Sequence, residues 1–317
     1  MLYLAEEDVR ALLPMTEAIR LMRETFQALA GETAQNLPRR RLLIPSGAVL
    51  HSMAGACGAY FGAKVYATHP KHGAHFVFLL YDSDTARPLA LIEANWLGQI
   101  RTGAASGLAT GLLARPDAGR IGIIGTGFQA RSQLEAMLAV RKVDTVRIFS
   151  RTEERRRRFA AECAAFGVEV VAASTAREAV AGADIVVTAT WAKDPVLEDE
   201  WIGPGVHINA VGSNNARRRE LPAGLVRRAD LIVVDSLEQS RIESGDLLLA
   251  LEPAQWNDPR LVELKEVVIG KAGRRSASDV TVFKSNGLGV EDVAAAGFVY
   301  QQARQHGRGR ETGPAYS

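Results

Sequence analysis

Ile121-Gly122-Ile123-Ile124-Gly125-Thr126-Gly127-Phe128-Gln129-Ala130 is the stretch whose reading decides the fold. An apolar, partly β-branched run ends on Gly-x-Gly-x-x-Ala, and residues 132–140 continue with a helical pattern. In a strand-to-helix turn of this kind the first glycine permits the tight turn. The second lets a pyrophosphate approach the backbone, and the small third residue lets helix and strand pack closely. The phosphates would rest on free N–H groups at the helix N-terminus. The pattern alone is common, and its context gives it weight. Further β-like runs follow at residues 146–149, 168–171, 185–188, 207–210 and 231–234, with helical patterns between most of them. Such alternation specifies an α/β fold, a Rossmann-type doubly wound parallel sheet covered on both faces.

Upstream the texture differs. From residue 6 to residue 30 apolar positions recur at helical spacing, closed by Gly31. Residues 42–92 hold short β-like runs, including 76–81 and 88–92 around a polar hairpin turn, Asp82-Ser83-Asp84-Thr85. A small-residue helix covers 102–109, and Arg115-Pro116-Asp117-Ala118-Gly119 reads as a linker. Residues 283–300 look helical again, and the Gly- and Arg-rich tail from Gln305 is expected to fray. The expected organisation is a Rossmann domain at 117–282. Residues 1–116 and 283–317 together form a smaller α+β domain.

Composition bounds the function. With 317 residues and 47% hydrophobic content the chain can bury two cores, and disorder is excluded. A formal charge of +2 offers no global field for a polyanion, so no nucleic-acid partner is expected. Two cysteines, Cys57 and Cys163, make no disulfide framework, and no metal site is expected. The N-terminus lacks the basic and apolar regions of a signal peptide, and no apolar run approaches a membrane span. A soluble, cytoplasmic protein is expected. The basic residues are lopsided: 31 are arginine and seven are lysine.

The cofactor's ribose contact can be read about 20 residues beyond the glycines, where an NAD site places Asp or Glu. Here Ile148-Phe149 runs into Ser150-Arg151-Thr152. Two hydroxyls and a guanidinium suit a 2′-phosphate, which favours NADP(H) over NAD(H). Four consecutive arginines start at Arg155. With Glu153, Glu154 and Glu162 offsetting them, they read as a solvated helix face with Arg155 near the phosphate.

Taken in order, several segments resemble the ornithine cyclodeaminase/μ-crystallin family over nearly the whole chain. They are Pro38-Arg39-Arg40, Met53, Gly62-Ala63-Lys64, Arg101-Thr102-Gly103-Ala104, the Gly125–Ala130 turn, Ser150-Arg151-Thr152 and Ala189-Thr190. Asn209-Ala210-Val211-Gly212-Ser213, Val234-Asp235-Ser236, Thr281-Val282-Phe283-Lys284-Ser285-Asn286-Gly287 and Glu291-Asp292 complete the series. The resemblance implies a carboxylate clamp at Arg40, Lys64 and Arg101. It places Thr102, Gly125, Thr126, Gly127, Phe128 and Gln129 at the phosphates, and Thr190, Ala210, Val211, Gly212 and Ser285 along the nicotinamide half. The smaller domain would mediate a homodimer. Chemistry supports the clamp, since guanidinium forks match planar carboxylates. A lysine close to arginines has its ammonium destabilised, so Lys64 is the expected general acid/base.

The chain departs from the cyclodeaminases at two acids. Asn214, taken with Lys64 as a catalytic residue, stands where they carry one, and His51, taken as substrate-binding, where they carry the other; Ala54 replaces a proline. Asparagine binds an amine without accepting its proton at neutral pH. His51, with His69 and Asn214, would line the side-chain pocket. The expectation is an NAD(P)H-dependent ketimine reductase or amino-acid dehydrogenase acting on a small amino or imino acid. The same resemblance leaves open a cyclodeaminase converting ornithine to proline and ammonia, and a non-catalytic ligand-binding protein.

Overall fold

In the computed structural model, which describes residues 1–313, the chain divides into two compact units. One is Met1–Arg101 with the segment from Gly287 onward, the other Thr102–Asn286. The first unit opens with β1 (Leu2–Leu4), α1 (Glu6–Leu12) and α2 (Met15–Ala30). One helix was expected over 6–30, and Pro14 splits it. Proline disfavours the helical region for its predecessor, and Leu13 takes φ −121°, ψ 85°. Then come β2 (Ala34–Leu43), β3 (Val49–Cys57), β4 (Tyr60–His69), β5 (Gly73–Asp82) and β6 (Pro88–Glu93), an antiparallel meander. The expected hairpin at residues 82–85 joins β5 to β6. α3 (Asn95–Leu113) carries the boundary between units at Arg101/Thr102, well before the expected linker.

The second unit is an eight-stranded, wholly parallel sheet. Its elements are β7 (Arg120–Ile124), α4 (Phe128–Val140), β8 (Thr145–Phe149), α5 (Glu153–Cys163), β9 (Val170–Ala172), α6 (Ala176–Val180), β10 (Ile185–Thr188) and β11 (His207–Ala210). They continue with α7 (Ala223–Arg228), β12 (Leu231–Val234), α8 (Leu237–Glu243), α9 (Gly245–Leu248), β13 (Leu261–Glu263), α10 (Leu264–Val268) and β14 (Thr281–Lys284). The strand order is β13-β12-β14-β11-β10-β7-β8-β9, so the winding reverses between β7 and β10. In an open α/β sheet the ligand crevice lies at the carboxyl ends of strands around such a reversal. All six expected strands are present. β13 and β14 were not expected: Phe283 and Lys284, read as the start of a helix, lie in β14 between β11 and β12.

The chain returns to the first unit with α11 (Gly289–His306) and β15 (Arg310–Glu311). The seven-stranded sheet there runs β15-β1-β6-β5-β4-β3-β2. α11 starts after Gly287, whose φ of +78° ends the extended backbone. Its N-terminal turn lies hard on β3: a Cβ on Gly55 would stand 2.6 Å from Val290 N, and one on Gly289 2.5 Å from Ala54 O. The tail does not fray at Gln305. The helix runs to His306, Gly307 closes it in the left-handed conformation, and Arg310 and Glu311 pair with Tyr3 and Leu2. Residues 314–317, the end of the expected frayed tail, lie outside the described residues. Sheet alternation sends Met53, Lys64, Tyr66, Phe78 and Leu80 to the buried face. Val65 and Val77, with Leu37, Leu42 and Leu50, remain exposed.

Candidate active site

Lys64 stands on β4 between Met53 of β3 and Phe78 of β5, with 3% of its surface exposed. A lysine seldom sits so deep without a partner. Its Nζ donates to Asp292 Oδ1 at 2.9 Å and lies 2.7 Å from Oδ2. Arg101 shares that carboxylate, Nε to Asp292 Oδ1 at 3.0 Å, and also donates through Nη1 to Glu291 Oε2 at 2.6 Å. Two cations and two carboxylates thus form one buried quartet from β4, α3 and the first turn of α11. Gly287 makes room for it, since a Cβ there would fall 2.4 Å from Arg101 Nη1. Burial lowers the Lys64 ammonium to about 7; the Arg101 charge adds to this and Asp292 opposes it.

The second guanidinium beside Lys64 is not the expected one. A register shift between Leu37 and Arg40 puts a bulge in β2, so Arg40 pairs with Ser52 and is exposed, whereas Arg39 is buried. Arg39 donates to Met53 Sδ at 3.3 Å and to the Gly287 carbonyl at 3.4 Å, and it helps depress Lys64. His51 lies on the same buried face, its ring stacked 4.2 Å from Tyr66 and its Nε2 3.0 Å from Thr68 Oγ1. Burial, then the charges of Arg41 and Arg39, lower its pKa to about 4, so the ring is neutral at pH 7. His69 ends β4, its ring centroid 4.6 Å from that of His72 and tilted 33° to it.

In the second unit Gly125 takes φ +113°, and a Cβ there would lie 2.4 Å from Ala189 O. Gly127 caps α4 without a side chain, and a Cβ on it would meet nothing within 4 Å. The helix N-terminus therefore faces open space, while Ala130 is fully buried against the sheet. A pyrophosphate fits that geometry. Thr126 Oγ1 donates to Ser150 Oγ at 3.1 Å, linking the ends of β7 and β8. Phe128 is exposed and Gln129 half-buried beside them. Arg151, Thr152 and Arg155 are exposed. Arg156, which the sequence did not single out, donates to the Ser150 carbonyl at 2.6 Å and lies over the Phe149 ring. No carboxylate follows β8 at Ser150. Thr102 is buried, its carbonyl accepting from Gln133 Nε2 at 3.4 Å.

The carboxyl ends of β10, β11 and β14 bring Thr190, Ala210, Val211, Gly212 and Ser285 into one layer. Val211 N donates to Thr188 O at 2.9 Å, and Ser285 Oγ to Asp235 Oδ2 at 3.4 Å. Asn214 is half-buried on the loop after β11. Three charges under this layer had been given no role: Glu220, Asp246 and Lys284, all fully buried. Glu291 and Asp292 were quoted for the resemblance without a role. Their signal was charge inside apolar runs, legible in principle at Phe283-Lys284 and Val290-Glu291-Asp292-Val293.

A doubly wound sheet with a glycine cradle at its reversal point, carried with a separate buried Lys–Arg–carboxylate quartet, defines a dinucleotide-binding α/β protein. The chain belongs to the ornithine cyclodeaminase/mu-crystallin family, whose model matches residues 1–307. It is 36% identical over 322 residues to a Δ1-pyrroline-2-carboxylate reductase of Bacillus cereus, covering 98% of each. Among solved structures it superposes on Thermococcus litoralis Δ1-pyrroline-2-carboxylate reductase, in complex with NADH and L-proline, with a TM-score of 0.94. That match has 34% identity and covers 98% of this chain and 100% of the other. An archaeal alanine dehydrogenase dimer with bound NAD gives a TM-score of 0.92 at 32% identity, covering 98% of each chain. Among the described residues no helix is long and apolar enough to cross a membrane.

Proposed function

We propose that this chain is an NAD(P)H-dependent oxidoreductase. It transfers hydride to or from the α-carbon of an amino acid or a cyclic 2-imino acid, as a ketimine reductase or amino-acid dehydrogenase. The observation that carries the reading is the buried quartet around Lys64, whose ammonium is lowered to about 7. Reducing an imine needs a hydride on carbon and a proton on nitrogen. The bound nicotinamide would supply the hydride. Lys64 Nζ would deliver the proton, and take it back in the oxidative direction. Arg101 Nη atoms would orient the substrate carboxylate, with Arg39 in the place first assigned to Arg40. Asp292, touching both cations, holds Nζ in line.

Gly125, Thr126, Gly127, Phe128, Gln129 and Thr102 would hold the pyrophosphate, and Thr190, Ala210, Val211, Gly212 and Ser285 the nicotinamide half. Ser150, Arg151, Thr152 and Arg155, standing where an NAD site would place an acid, favour NADP(H). His51 and Asn214 would face the substrate side chain. A neutral imidazole and an amide supply no carboxylate for a distal amine, which weighs against ornithine cyclodeamination. The exposed apolar face of β2–β5 supports a homodimer formed through that sheet. Two free thiols fit a reducing, cytoplasmic compartment.

The test is to mix the protein with NADPH or NADH and a panel of cyclic 2-carboxy-imines and 2-oxo acids with ammonia. Loss of reduced-nicotinamide absorbance, with higher kcat/KM for NADPH, is expected; no loss with any pair would sink the reading. Proline and ammonia formed from ornithine without net nucleotide consumption would establish the cyclodeaminase instead. A wild type that binds the nucleotide and an imino or amino acid without turnover, with both affinities unchanged in Lys64→Ala, would establish a binding protein.

A further inference from the structure

Three charges lie wholly buried beneath the loops at the carboxyl ends of β10 and β11, and the reaction above uses none of them. Glu220 spends both carboxylate oxygens on these loops. Oε1 accepts from Thr190 N and Thr190 Oγ1, each at 2.7 Å; Oε2 accepts from Gly212 N at 2.7 Å and Thr188 Oγ1 at 3.0 Å. Lys284 grips the second loop from its other side. Its Nζ donates to Ser213 O at 2.5 Å and to Ala210 O at 3.4 Å. Asp246 joins the two: Oδ2 lies 3.0 Å from Lys284 Nζ, and Oδ1 accepts from Glu220 N at 2.6 Å and Leu221 N at 2.9 Å.

A buried ion pair kept only for stability could give way to apolar side chains, which often match it or do better. These three charges do something apolar groups cannot. They bind loop peptides directly, an anion at the Gly212 amide and a cation at the flanking carbonyls. Close packing removes the remaining freedom, since a Cβ on Gly212 would lie 2.2 Å from Thr190 O and one on Gly245 2.0 Å from Arg218 O. We propose that Glu220, Asp246 and Lys284 are positioning residues that set the loops at 189–190 and 210–214 in the shape the nicotinamide half of the cofactor requires. The proposal rests on the functional reading above for the identity of that ligand.

Glu220→Gln probes it most sharply. The amide keeps one acceptor oxygen, but its NH2 faces the remaining donors, so either Thr190 or Gly212 loses its partner. Hydrogen exchange by mass spectrometry and NADPH titration by fluorescence are the readouts. In E220Q with wild-type circular dichroism, exchange of peptides spanning 188–192 and 210–215 should rise about tenfold, as expected for loss of a charge-assisted hydrogen bond. The Kd for NADPH should rise by a similar factor, and KM for NADPH should rise more than kcat falls. A folded E220Q with wild-type loop exchange, or with loosened loops and unchanged NADPH affinity, would overturn the proposal. Should E220Q fail to fold, Asp246→Asn keeps the acceptor for the 220 and 221 amides and weakens only the Lys284 contact. It should move both readouts the same way. In the wild type, NADPH should slow exchange in these two loop peptides; no slowing on saturation equally overturns the idea. A wild type that binds neither NADPH nor NADH instead overturns the functional reading, which separates the two failures.

Discussion

At the scale of single residues the proposed chemistry centres on Lys64. In a chain with seven lysines against 31 arginines, its ammonium is buried beside a guanidinium and a shared carboxylate. Lys64→Ala should lower turnover by a factor of ~10²–10⁴, the range for a positioned acid or base, while NADPH affinity holds within a few-fold. Steady-state kinetics with a parallel nucleotide titration reads both. The sign of the pH dependence follows from the downward shift from 10.5 to about 7. Reduction needs the protonated amine, so reductive kcat/KM should fall as pH rises through about 7. Oxidation needs the free amine and should rise over the same interval. A flat profile in both directions would remove Lys64 from proton transfer. The lysine was legible in the sequence through the Gly62-Ala63-Lys64 match and the chemistry of a lysine set among arginines. Asp292 also carries a charge inside an apolar run, but its pairing with Lys64 spans 228 positions along the chain and no local pattern encodes it.

At the scale of elements, two irregularities decide what the site contains. The β2 bulge turns Arg39 inward and Arg40 outward, and alternation counted along an ideal strand cannot reveal where one extra residue is accommodated. The second is the close seating of α11 on β3 through Gly55 and Gly289. A Gly55→Ala methyl would press on the Val290 backbone, next to Glu291 and Asp292. Urea unfolding should show a loss of ~1–3 kcal/mol, the usual cost of overpacking. Turnover should fall with it, because the turn that must yield carries the Lys64 and Arg101 partners. Wild-type stability in this variant would show that the contact relaxes elsewhere. β14 was hidden for a related reason: Val282-Phe283 is too short a run to be told from a helix start by periodicity. Asn286-Gly287 then delays the helix to Gly289.

For the molecule as a whole, the seven-stranded sheet has one face under α11 and one bearing Leu37, Leu42, Leu50, Val65 and Val77 toward solvent. Apolar patches of that kind mark interaction surfaces. Light scattering coupled to size exclusion should find a dimer, and Val65→Glu should shift it to monomer by placing a charge where Val77 and Ser52 are its cross-strand neighbours. A monomeric wild type would refute the dimer, and a dimeric V65E would move the interface elsewhere. Sequence by itself determined the doubly wound sheet, the glycine cradle and the missing acid after β8, and it offered Lys64 as the candidate acid/base. Strand periodicity, turn glycines and a buried charge are properties of short windows of chain. Only the tertiary structure decided which arginine accompanies Lys64, which carboxylates hold it, and that Glu220, Asp246 and Lys284 meet beneath one loop layer. Those are pairings between distant segments, chosen by packing and by the cost of leaving a buried charge alone.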